Sequence, residues 1–107
     1  MNFFENLENI PSVEKMPGFH GKFSHTERMT LAKWRIEAGS ILPQHNHEHE
    51  QLVILLRGEF EMKVGEEVKI CKPGDIVKIP SMAFHSGKAL TDCEIIDIFQ
   101  PVREDFK

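Results

Sequence analysis

Three of the chain's six histidines, His45, His47 and His49, fall within five residues. On a strand, residues i and i+2 point to the same face, so His45 and His47 can present two imidazoles side by side. Gln51 shares its parity with Val53 and Leu55 in the apolar run that follows, so it can project into the same interior. His85 lies far along the chain, behind the strand-and-turn stretch 74–84. If the sheet closes, His85 meets the first pair. Three neutral imidazoles and one amide oxygen make a transition-metal site with coordination positions left open. Glu50 is a poor substitute ligand, because its parity is wrong. His49 reads as a turn residue or a support behind the ligands. His20 and His25 have no spacing partner and read as surface or pocket-rim residues.

The elements that must position these groups are short strands. Residues 29–37 are extended in character. Residues 59–64 alternate polar and apolar with period two, the mark of a half-buried strand. Gly65 and Glu66 turn the chain, and 67–70 can return as the second arm of a hairpin. Lys72-Pro-Gly-Asp75 is a turn, in which proline presets φ and glycine takes positive φ. Further strands are expected at 76–79, 85–89 and 93–99. The sum is eight or nine strands with turn signals at close intervals, the pattern of an all-β sandwich or barrel. Only residues 3–9 hint at helical periodicity, over too short a span. Residues 52–56 are apolar on both faces. Such a strand needs cover on both sides, one from its own core and one from outside. A second subunit is the expected cover, giving a homodimer that buries at least about 1,000 Å².

The last strand adds a carboxylate. Cys93, Ile95, Asp97 and Phe99 share one face, and Glu94, Ile96 and Ile98 share the other. The first face suits an interior except for Asp97, whose burial is costly unless it is paired or used. Either Asp97 points out or pairs with a Lys or Arg, or it is an interior acid or base facing the metal. Arg103, past Pro101, can fold over the barrel mouth. Trp34 reads as barrel packing rather than a substrate platform. Cys71 and Cys93 do not make a disulfide framework and read as small core residues.

Length and composition bound the rest. The chain has 107 residues, 40% hydrophobic and 28% charged, which suits one globular domain. That domain is expected to fill 1–107, with a barrel core at about 29–99, an N-terminal arm and a C-terminal tail. A net charge of −4 argues against nucleic acid as partner. The longest apolar run is five residues, too short for a spanning helix. No signal peptide is legible at the N-terminus, so a cytoplasmic location is expected.

The two histidine segments resemble the two sequence motifs of the cupin superfamily. The first motif runs Gly, five residues, His-x-His, three or four residues, Glu, six residues, Gly. Gly39, His45, His47, Gln51 and Gly58 match it, with Gln in place of Glu. The second motif is matched by Gly74, Pro80 and His85, while Met82 stands for its second Gly and Ala89 for its Asn. The resemblance covers roughly 35–90 and implies a jelly-roll-like β-barrel. It also implies one divalent metal on His45, His47, Gln51 and His85. A neutral fourth ligand leaves the site one unit more positive, which favours an anionic substrate. Zn, Ni, Mn and Fe all tolerate imidazole with oxygen.

The tail, Asp97-Ile-Phe-Gln-Pro-Val-Arg103-Glu-Asp-Phe, resembles one cupin group in particular. These are the small single-domain cupins of pectin and alginate breakdown, which turn 4,5-unsaturated monouronates into linear keto forms. The stretch 31–39 also looks like this group. The resemblance implies that Asp97, Phe99 and Arg103 line the pocket beside the metal. The expected activity is metal-dependent ketonisation, by ring opening and tautomerisation, of such an anionic sugar acid. Asp97 would move the proton, Arg103 would grip the carboxylate and Phe99 would pack the ring. The rivals are a metal-dependent oxygenase and a non-catalytic cupin that binds a sugar or another small molecule.

Overall fold

A computed structural model describes residues 3–107, so the first two residues of the N-terminal arm lie outside the described residues. The alternating segments form ten strands among the described residues. They are β1 (Val13–Met16), β2 (Phe19–His25), β3 (Thr30–Ile36), β4 (Ile41–His45) and β5 (Glu50–Arg57). β6 (Phe60–Val64), β7 (Glu67–Cys71), β8 (Ile76–Ile79), β9 (His85–Ala89) and β10 (Cys93–Gln100) follow. A six-stranded sheet has the order β1-β2-β3-β10-β5-β8, and a four-stranded sheet has the order β4-β9-β6-β7. Every pairing is antiparallel. The strands are thus laid out as an all-β cupin-like sandwich with a shared interior.

Period-two alternation decides what faces that interior. In β10, Cys93, Ile95, Asp97 and Phe99 are all buried, while the residues between them are only half-buried. In β3 the inward set is Thr30, Ala32, Trp34 and Ile36. In β5 it is Gln51, Val53 and Leu55. These three strands are neighbours in the large sheet. Their register brings Asp97 opposite Ala32 on one side and Val53 on the other. Phe99 is flanked by Thr30 and Gln51. Small Ala32 beside Asp97 leaves room for the carboxyl group. Phe19, Trp34, Leu55, Phe60 and Ile95 supply much of the apolar filling. Transfer of such side chains from water stabilises the fold by roughly 1.5–3 kcal/mol each.

The turns follow their residue chemistry. The β6–β7 hairpin closes at Val64 and Glu67, with Gly65 at φ +58°. At Lys72-Pro-Gly-Asp75, the Asp75 carboxylate accepts from the Lys72 N–H at 2.8 Å, and Gly74 takes φ +94°. Gly58 has φ +85°, and a Cβ there would lie 2.1 Å from the Asp92 carbonyl oxygen. No side chain fits at that approach of β5 to the turn before β10.

The structure departs from the sequence reading at the N-terminal end. The sheet begins well ahead of residue 29, because β1 and β2 precede β3 and pair in sequence with it. Within 3–9 only a short 3-10 turn forms at Leu7–Asn9, capped by the Asn6 side chain. A second such turn, Glu104–Phe106, ends the tail. Cys71 and Cys93 are free and buried, and burial raises both thiols. They are inert packing groups. Among the described residues, no helix is long and apolar enough to cross a membrane.

Candidate metal centre

His45 ends β4 and His85 begins β9, and the two are directly paired across the small sheet. Their ring centroids are 4.2 Å apart. His47 lies two residues beyond the end of β4, so the strand-parity argument does not hold for it. A loop contact brings it in instead. The Met82 N–H donates to the His47 carbonyl at 2.8 Å, and the Asn46 amide donates to the Met82 carbonyl at 3.2 Å. The loop before His85 is thereby docked on the loop that carries His47. The His47 ring sits 4.9 Å from that of His85 and 5.5 Å from that of His45. One ring nitrogen from each of the three lies within 4.8 Å of the others.

The backbone sets which nitrogen faces the centre. His45 Nδ1 is 2.9 Å from the Pro43 carbonyl, His47 Nδ1 is 2.8 Å from the His49 carbonyl, and His85 Nδ1 is 2.9 Å from the Ala83 carbonyl. A carbonyl oxygen only accepts, so Nδ1 carries the proton in all three neutral rings. Each Nε2 then keeps its lone pair, as metal-ligating imidazoles require. Nε2 of His47 and of His85 is buried without a hydrogen-bond partner, and so is Oε1 of Gln51. Buried polar atoms left unpaired are costly, and a bound metal ion would satisfy these three. Burial also lowers the His85 imidazole to about 4 and lowers His47, which keeps both rings neutral. This donor set fits a divalent transition metal with open positions.

Asp97 projects from β10 into the same interior and is 8% exposed. Its Oδ2 accepts from the Trp34 indole N–H at 3.0 Å, and Oδ1 has no partner. Burial raises its carboxyl to about 7, while the neighbouring Gln51 amide, the Trp34 N–H and the Arg103 charge pull the other way. Asp97 does not point out and makes no direct ion pair. Trp34 packs in the barrel as expected, edge-on to Phe19, Phe23 and Phe106. Its N–H also orients Asp97.

Arg103 reaches back over the same cavity. Its backbone N–H donates to the buried Thr30 hydroxyl at 2.8 Å, and that hydroxyl also meets His25 Nδ1 at 2.8 Å. The guanidinium lies 4.6 Å from the Phe99 ring centroid and 4.1 Å from that of Phe106. The cavity holds about 450 Å³, and its lining includes the three histidines, Gln51, Asp97 and Arg103. Apolar groups such as Phe99, Met62 and Leu42 make up the rest of its wall. That volume accommodates one small molecule, with a few polar groups to orient it.

The remaining histidines divide. His49 is half-buried, 6.4 Å from the Phe99 ring, and its Nδ1 has no partner. His20 bonds the exposed Glu37 carboxylate at 2.8 Å and does not line the cavity. His25 acts through Thr30 on the tail. Thr30, Asp105 and Phe106, to which the sequence alone assigns no role, all hold Arg103. The available signal is the acid–aromatic pair Asp105-Phe106, two and three residues after Arg103 in the tail.

Met82 has φ +69°, the left-handed region that favours glycine. It is exposed, so its side chain contributes little packing. Met82→Gly is expected to stabilise the fold by up to about 1 kcal/mol, the local strain relieved less the greater entropy of an unfolded glycine. Chemical denaturation would measure it, and a clear loss of stability would contradict it.

Comparison with known proteins agrees with this architecture. A family profile described as the cupin domain matches residues 32–99. The pectin degradation protein KdgF of Dickeya dadantii is 33% identical over 70 residues. That match spans 64% of this chain and 64% of the relative's length. The solved structure of KdgF from Halomonas sp. superposes with a TM-score of 0.90 at 30% identity, covering 100% of this chain and 99% of that one. An RmlC-like cupin from Shewanella frigidimarina gives a TM-score of 0.94 at 25% identity, covering 100% and 97%.

Proposed function

The chain belongs to the cupin domain family, and from that premise we propose that it ketonises 4,5-unsaturated monouronates from pectin or alginate breakdown. The likeness to the two KdgF proteins supports the pathway. One observation carries the reaction class: a buried carboxyl group, Asp97, with a free oxygen in the same cavity as the unpaired ligand atoms.

The substrate is a cyclic enol ether bearing a carboxylate. Its conversion needs the ring opened and a proton delivered to C4. His45, His47, Gln51 and His85 would hold the metal. When bound, the metal supplies a Lewis acid for oxygens of the sugar acid and for developing negative charge. Asp97 moves the proton through Oδ1, with Oδ2 held by Trp34. Arg103 grips the carboxylate. Phe99 packs against the sugar ring, in a cavity whose wall is otherwise largely apolar.

Loss of the unsaturated uronate's ultraviolet absorbance, on protein of known metal content, tests the reading. Turnover that needs the metal supports it. Oxygen uptake by an iron-loaded sample, without turnover of the uronate, would favour an oxygenase instead. Binding of uronates without conversion would favour a sugar-binding cupin.

The working form is proposed to be a homodimer. On the outer face of β5, Leu52 and Leu56 are each 43% exposed, and Ile76 on adjacent β8 is 59% exposed. A second copy would cover this sheet face. Light scattering at micromolar concentration is expected to give twice the 12.3 kDa chain mass. A monomer there would contradict it.

A further inference from the structure

Arg103 is held more firmly than a lone surface arginine. Its Nε donates to Asp105 Oδ1 at 3.0 Å and its Nη2 to Asp105 Oδ2 at 2.8 Å. The pair is bidentate, so it fixes the plane of the guanidinium as well as its place. Phe99 and Phe106 stand against that plane at 4.6 and 4.1 Å. The Arg103 side chain is only 14% exposed, whereas Asp105 is 60% exposed. Asp105 is itself anchored, because Lys15 donates to its backbone carbonyl at 3.2 Å. The Lys15 ammonium also lies 5.7 Å from the Phe106 ring centroid.

A guanidinium has five N–H groups in a rigid plane. Asp105 occupies one edge, made of Nε and one hydrogen of Nη2. The end formed by Nη1 and the other Nη2 hydrogen remains a second fork, matched to another carboxylate. Lys15, Asp105 and Arg103 all line the cavity.

We propose that Asp105 is a positioning residue, which fixes Arg103 so that its free fork receives the carboxylate of a sugar acid. This rests on the proposed function only in taking a carboxylate as the ligand's anchor. Arginine side chains lose considerable rotamer freedom on binding, and a guanidinium already fixed has less to lose. Asp105 therefore tightens ligand binding without touching the ligand. If Asp105 instead occupied the ligand's own place, it would compete, and its removal would tighten binding.

The test uses metal-loaded wild type, Asp105→Asn and Asp105→Glu, with the saturated monouronate galacturonate as probe. Asp105→Asn should weaken galacturonate binding by about tenfold in calorimetry, as expected for a lost charge-assisted bidentate pair. Asp105→Glu should recover part of that loss. The Arg103 Nε–H nuclear magnetic resonance signal should be protected from solvent exchange in wild type, exposed in Asp105→Asn and protected again in Asp105→Glu. Metal content and melting temperature are recorded on the same samples, so a misfolded variant is recognised, and the Asp105→Glu arm then decides. Unchanged or tighter binding by folded Asp105→Asn overturns the proposal. So does an Nε–H signal that Asp105→Asn leaves protected, or wild type that binds no galacturonate. Wild type that binds galacturonate yet converts no unsaturated uronate would sink the enzymatic reading and leave Asp105 in place. Turnover by wild type with indifferent Asp105→Asn would do the reverse.

Discussion

On the proposed reading, His85→Ala should abolish both metal binding and turnover. His85 is 2% exposed and paired in register with His45, so its Nε2 has no solvent alternative. Removing groups that merely support a ligand costs about 10–100-fold in metal affinity, and loss of a direct ligand should exceed that. The loss has a thermodynamic signature separate from activity. A metal that binds only the folded state stabilises it by about 2.7 kcal/mol at one hundred times its dissociation constant. A chelator should therefore lower the melting temperature of wild type and leave that of His85→Ala unmoved. Truncating a buried imidazole also leaves a void, which lowers stability on its own. His45→Ala, at a half-buried position, gives the cleaner comparison. Both variants retaining one metal per chain, by elemental analysis, would show that these histidines are not its ligands.

Much of this centre is legible in the sequence. Period two fixes facing, so placing β10 on the interior put Asp97 and Phe99 inside together, and the same rule put Gln51 with Val53 and Leu55. His85 was harder, because its partner stands forty residues away, and only closure of the sheet explains their meeting. The cupin-like motif spacing bridged that gap. His47 does not follow the strand rule: it is a loop residue whose carbonyl is held by the Met82 N–H, and no strand period applies to it. β2 is hidden in the sequence because Gly21 interrupts an otherwise alternating segment, and β1 because Val13–Met16 is too short to show a period. Side-chain bonds across long sequence separations left no local trace at all. Trp34 to Asp97 spans 63 residues, and Thr30 to Arg103 spans 73. Such contacts are consequences of the closed fold, and local propensity carries no information about them.

The second large effect is expected at Asp97. Asp97→Asn keeps the side chain's shape, and the Asn oxygen can still accept from the Trp34 indole. The four candidate ligands are untouched, so metal content should not change. What is lost is a group that can both give and take a proton inside the cavity. General acid–base groups contribute typically about 10²–10⁴-fold, and turnover should fall by that order. The fall should lie in kcat, because the proposed mechanism gives the carboxylate contact to Arg103 and the ring contact to Phe99. Asp97 is buried and has one oxygen unpaired, so a purely structural carboxyl would make a different prediction. Replacing it by an uncharged amide of the same size would then be neutral or stabilising, since burying an ionised group is costly. Stability and turnover therefore move independently in this variant. If Asp97→Asn gained stability and kept full activity, the proton would have to come from elsewhere, and Asp97 would be reduced to a partner of Trp34. If it gained stability and lost turnover, the cost of burying the carboxyl would be one the fold retains for chemistry.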